Sequence, residues 1–127
     1  MRRKIAMLVS LVVVLALVGA GAVWAQDQII RCHAKPCYGT GNNDLIYERP
    51  ANGLNDEIIM RGGSDRVLAN RYTNDRDFTH GGPGNDRINV ADRDRRDTAT
   101  GGRGGSDVCI VDARVEAGNG CGRVIVR

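Results

Sequence analysis

Aromatic residues are nearly missing from this chain. Its 127 residues hold one Phe, one Trp and three Tyr, and only three prolines. So few large rings exclude a broad aromatic core, and a chain of about 100 residues buries limited surface in any case. Metal ions or disulfides are the expected supplements. Catalytic material is equally thin. Beyond residue 25 there are two serines, Ser64 and Ser106, and two histidines, His33 and His80. No GxSxG, HExxH or phosphate-loop motif occurs. The acids are many but regularly spaced, unlike an acid and a base held at separated pKa values. The sequence points away from an enzyme.

Long apolar runs are also missing, except at the start. Arg2, Arg3 and Lys4 precede an apolar stretch from Ile5 to Val18, and small residues follow, with Val23 and Ala25 at −3 and −1 of a cut before Gln26. That order of charged, apolar and small regions reads as a secretory signal peptide over residues 1–25. The run is shorter than the ~18–20 residues of a spanning helix, so stable membrane insertion is not expected after its removal, and the chain is expected outside the cell. The segment carries three bases and no acid. Taking these from the total of 18 leaves 15 bases against 15 acids. The formal charge of +3 therefore gives no support for a nucleic-acid partner, which would need a concentrated positive face.

What the chain does have is glycine, 17 residues of it, and a period. Written in blocks of 21, it aligns without a gap as GTGNNDLIYERPANGLNDEII from Gly39, MRGGSDRVLANRYTNDRDFTH from Met60, GGPGNDRINVADRDRRDTATG from Gly81 and GRGGSDVCIVDARVEAGNGCG from Gly102. The sixth column is aspartate throughout: Asp44, Asp65, Asp86 and Asp107. Two residues later comes an apolar column, Ile46, Val67, Ile88 and Cys109, and two further on Glu48, Ala69, Val90 and Val111. Alternation of period two after a turn predicts a strand with one face buried. Each block holds a second turn and strand, with Asp56 before Ile58, Asp77 before Thr79 and Asp97 before Ala99. Two turns and two short strands per block make one coil of a flattened solenoid.

The turn-plus-strand unit resembles the glycine-rich nonapeptide of haemolysin-type calcium-binding (RTX) proteins, GGxGxDxUx with U apolar. Gly81–Asn89, GGPGNDRIN, fits it at every fixed position, and the other three copies keep part of it. The resemblance implies an all-β, right-handed parallel β-roll of about four coils over residues 39–122. It also implies calcium ions held between neighbouring turns by carbonyls and by the sixth-position aspartates. Carried onto this chain, the carboxylates would be those of Asp44, Asp65, Asp86 and Asp107. The carbonyls would come from Gly39, Gly41, Gly62, Gly81, Gly82, Gly84, Gly102, Gly104 and their neighbours. The second-side turns depart from the pattern. Ala51–Asp56 has one glycine, and Tyr72–Asp77 and Asp92–Asp97 have none. Asp56, Asp77 and Asp97 are expected to bind more weakly, with Arg–Asp pairs holding that side.

Four cysteines in an exported chain imply two disulfides. Cys32 and Cys37 lie in an N-terminal cap, residues 26–38, and Cys109 and Cys121 lie in the last block, where both point into the end of the roll. Of three connectivities, Cys32–Cys37 with Cys109–Cys121 is expected, each closing one end of the solenoid. A zinc site from Cys32, His33 and Cys37 is the rival reading and lacks an evident fourth ligand. A final strand is expected over residues 123–127. The functional expectation is non-catalytic calcium binding coupled to folding, with an unnamed protein or polysaccharide partner. The alternative is a calcium-independent extracellular adhesion or interaction module.

Overall fold

The computed structural model describes residues 27–127, so the signal-peptide reading of residues 1–25 lies outside the described residues. The chain is all-β, with one 3-10 turn at Arg114–Glu116 among the described residues. Ten short strands follow in order: β1 (Gln28–Arg31), β2 (Cys37–Tyr38), β3 (Asp44–Tyr47), β4 (Glu57–Ile59), β5 (Arg66–Leu68), β6 (Phe78–His80), β7 (Arg87–Asn89), β8 (Thr98–Thr100), β9 (Val108–Val111) and β10 (Arg123–Val126). The first nine alternate between two sheets, and β10 joins the sheet of β9. The six-stranded sheet runs β1-β3-β5-β7-β9-β10 and the four-stranded one β2-β4-β6-β8. All pairs are parallel. Up to β8, one odd strand and the even strand after it form a coil, and successive coils stack in a β-solenoid-like arrangement.

The period of 21 becomes the strand register. Ile46 stands opposite Val67, Val67 opposite Ile88 and Ile88 opposite Cys109. These four residues are fully buried. On the facing sheet Ile58, Thr79 and Ala99 form the matching buried column. Each strand is only two to four residues long, so the core is narrow, and beside these columns it holds Met60, Ala69, Val90 and Val111. Burying each Val or Ile contributes roughly 1.5–3 kcal/mol. Thr79 is tolerated there because its hydroxyl donates to the Thr98 carbonyl at 3.1 Å.

The ends differ from the expected caps in one respect. The segment 26–38 is itself an abbreviated coil, since β1 pairs with β3 and β2 with β4. The Cys32–Cys37 disulfide spans the link between its two strands. At the other end Cys109 of β9 is bonded to Cys121, and β10 pairs with β9. The chain interval between stacked positions of the four-stranded sheet shortens along the row. Ile58 to Thr79 is 21 residues, Thr79 to Ala99 is 20, and the next partner of Ala99 is Ala117, joined through an isolated bridge.

Candidate metal centre

The glycine-rich side. Asp44, Asp65, Asp86 and Asp107 stand in one row along the coils, each at most 3 % exposed. Each backbone amide donates to the carboxylate of the next coil: Asp44 to Oδ1 of Asp65 at 2.7 Å, Asp65 to Asp86 at 2.9 Å, and Asp86 to Asp107 at 2.8 Å. The row is closed at its start by Thr40, whose amide donates to Asp44 Oδ2 at 2.6 Å. The second oxygens of Asp65, Asp86 and Asp107 are buried without a hydrogen-bond partner. They press on the turns: a Cβ on Gly81 would sit 2.5 Å from Asp86 Oδ2 and 2.1 Å from the Gly101 carbonyl oxygen. A carboxylate and a carbonyl of the neighbouring coil therefore crowd one glycine, and both are hard oxygen donors of the kind calcium takes.

Several glycines named from the repeat are not the ones in the tight places. Gly101, rather than Gly102, lies against Asp107 Oδ2. Gly63, Gly84 and Gly105 stack so closely that a Cβ on each would strike the preceding coil's backbone, while Gly41 and Gly104 face open space. In the second coil Arg61 adopts φ 71° where the later coils carry Gly82 and Gly102.

The glycine-poor side gathers more carboxylate than the sequence reading allowed. Asp56, Asp77 and Asp97 form a second buried row with the same amide-to-carboxylate bonds, Asp56 to Asp77 at 2.7 Å and Asp77 to Asp97 at 2.8 Å. Glu116, from the 3-10 turn, ends it by accepting from the Asp97 amide at 3.2 Å and from the amides of Asp112 and Ala113 at 2.8 Å. Among the described residues, three groups of carboxylates place one oxygen each within 4.8 Å of one another: Glu48–Asp75–Asp77, Asp75–Asp92–Asp94 and Asp94–Asp97–Glu116. Such groups could hold a metal ion. None of the glycine-rich row belongs to them, because there one aspartate per coil is the whole supply of carboxylate.

The expected Arg–Asp pairs are mostly not made. Among the described residues the one ion pair is Arg49–Asp56, at the first-coil end of the second row. Arg71 and Arg76 lie instead over the rings of Tyr72 and Phe78, 5.6 and 5.3 Å from their centroids. A guanidinium stays hydrated while covering an aromatic face, whereas reaching the buried row would cost its desolvation. Asn74, Arg93 and Arg95 take positive φ in turns where the other side uses glycine.

Burial sets the electrostatics. Desolvation pushes Asp65 and Asp86 up to about 6, with neighbouring aspartates adding repulsion. On the other side desolvation raises Asp77 and Asp97 to about 8, and Glu48 and Asp92 to about 7. Asp75 is shifted upward for the same reason. The amides that donate to these groups pull in the opposite direction without offsetting burial. Burial thus favours the neutral form of each of these carboxyls.

Five residues of these groups were not singled out in the sequence: Glu48, Asp75, Asp92, Asp94 and Glu116. Two signals were present. Glu48 is an acid in an otherwise apolar inward column, and Glu116 lies 19 residues beyond Asp97, close to the period. Compared with family models, curated proteins and solved structures, the chain matches none.

Proposed function

We propose that this chain is an exported, non-catalytic calcium-binding protein of the RTX kind. It would form a right-handed parallel β-roll whose folding is coupled to calcium binding at Asp44, Asp65, Asp86 and Asp107. The observation that carries this reading is the set of three buried, unpartnered oxygens, on Asp65, Asp86 and Asp107. A buried carboxylate oxygen without a partner costs about 1–3 kcal/mol or more, and three in a row beside glycine turns suit a divalent cation better than solvent. Glycine at the crowded positions admits carbonyls from the adjacent coil, which adds donors of the right hardness. The two disulfides are compatible with an oxidising extracellular location. Low calcium before export would leave the chain loose, and external calcium would set it. Because neighbouring coils share each site, binding free energy would appear as folding stability.

A second reading, a calcium-independent adhesion or interaction module, is favoured by a different fact. Every interior aspartate of both rows already caps an amide of the adjacent coil through Oδ1, a structural role that needs no ion. Thermal melts of the disulfide-intact protein in chelator, calcium and magnesium separate the two. The calcium reading expects a large rise in melting temperature with millimolar calcium and little with magnesium, which demands a tighter octahedron and keeps its waters. Superimposed curves would establish the module instead.

A further inference from the structure

The glycine-rich side leaves unexplained why the opposite turns, poor in glycine, concentrate more acid. We propose that this opposite side holds its own row of up to three hard divalent cations, bound by side-chain carboxylates, with Asp75 and Asp94 each bridging two neighbouring sites. The proposal stands independently of the reading of the glycine-rich side.

The geometry carries it first. The three groups are linked, since Asp75 belongs to the first and second and Asp94 to the second and third. Within each group the ligand oxygens lie no more than 4.8 Å apart. Calcium–oxygen bonds of about 2.3–2.6 Å put opposite ligands roughly 4.6–5.2 Å apart, so oxygens within that limit are close enough to share one ion of that size. Unsatisfied oxygens are the second, separate observation. Asp75 Oδ1, Asp92 Oδ2 and Asp97 Oδ2 are buried with no hydrogen-bond partner, on residues only 3–4 % exposed. Each belongs to a carboxylate of these groups, so the orphaned oxygens and the convergent geometry occur together.

Charge and sequence agree with this placement. The groups combine seven carboxylates, and the ion pair Arg49–Asp56 involves none of them. Three divalent ions would nearly balance them, which no guanidinium nearby does. Asp75 stands two residues before Asp77, as Gly84 stands two before Asp86. A side-chain carboxylate thus occupies the turn position from which the glycine side can offer only backbone. Glu48 enters from the end of β3, its Oε1 fixed by the Arg71 and Tyr72 amides at 2.7 and 3.2 Å, so the row reaches across coils rather than lying within one turn. Shared ligands predict that the ions load together. The first cation neutralises a bridging carboxylate and holds its other oxygen toward the next site.

The test compares two Asn double variants with the parent protein, because Asn keeps shape and an acceptor oxygen while losing charge. Calcium alone is the probe, with bound ions counted by equilibrium dialysis and binding followed by calorimetry. Asp75→Asn/Asp94→Asn touches all three groups and should remove the ions of that row. In chelator it should melt at or above the parent, since like charges have been deleted, and in calcium below it. That crossing cannot arise from simple misfolding. Asp65→Asn/Asp86→Asn should leave the row's ions bound. An Asp75→Asn/Asp94→Asn variant that binds as many ions as the parent, or gains as much melting temperature from calcium, overturns the proposal. If Asp65→Asn/Asp86→Asn alone changes nothing, the glycine-side reading fails while this one stands.

Discussion

The amide of Asp65 donates to Oδ1 of Asp86 at 2.9 Å, across one coil and 21 residues of sequence. The same carboxylate leaves Oδ2 buried and unpartnered beside Gly81. One side chain therefore combines a hydrogen bond that fixes the coil spacing with an oxygen left free for the proposed cation.

Two substitutions at this position should separate the two. Asp86→Asn retains an acceptor for the Asp65 amide and loses the charge, so in chelator its stability should stay within about 1 kcal/mol of the parent while its response to calcium falls. Asp86→Ala leaves a buried amide unsatisfied, a cost of about 1–3 kcal/mol in any buffer. Chemical denaturation with and without calcium reads both. Equal loss for Asn and Ala in chelator would show that the charge matters more than the hydrogen bond.

The stacked turns predict a graded glycine series. Gly84 has φ 134°, and a Cβ on it would lie 1.7 Å from the Gly63 carbonyl oxygen. Alanine there must move one coil from the next, so Gly84→Ala should cost about 3 kcal/mol or more, at the upper end of single substitutions. At Gly104, with φ 76° and open space around it, only the left-handed backbone is penalised, about 1–2 kcal/mol. Gly41→Ala meets neither obstacle and should be neutral or slightly stabilising. Melting temperatures in calcium should follow that order, and an equal cost at all three would contradict the packing.

Acid should stabilise the ion-free protein, the reverse of the usual carboxylate effect. Asp77 and Asp97 sit at about 8 in the folded chain against 3.8 for the free side chain, and Glu48 and Asp92 at about 7. Between these limits the folded state binds protons that the unfolded state has released, so stability falls as pH rises through 7 and 8. In chelator the melting temperature should drop from pH 5 to pH 8.5. Protons compete with cations for the same oxygens, so calcium affinity should move the opposite way, weakening as pH falls. A melting temperature in chelator that climbs with pH would refute the assignment of these buried groups.

The two disulfides should not be worth the same. Cys109 lies fully buried in the core column and is joined to Cys121 across 12 residues, whereas Cys32 and Cys37 are five apart. Replacing Cys109 and Cys121 by Ala should cost about 2–4 kcal/mol, the larger loss, because a longer loop is released. Guanidinium unfolding of both double variants checks the order.

Sequence alone determined the repeat, and with it the strands, the inward columns and the aspartate row. A period of 21 residues is a local pattern: alternation selects the buried face of each strand, and glycine and aspartate mark each turn. The pairing of four cysteines was also legible, because the same columns put Cys109 and Cys121 at one end. What only the tertiary structure decided is which acids meet. Asp75, Asp92 and Asp94 lie within Arg-rich turns whose sequence suggests Arg–Asp pairing, yet their carboxylates turn inward while Arg71 and Arg76 turn out over aromatic rings. Glu48 meets Asp75 and Asp77 only because consecutive coils stack. Composition cannot reveal such convergence. It depends on the side of the backbone each residue occupies in a turn, and on the desolvation cost that keeps a guanidinium in water while neighbouring carboxylates are buried together.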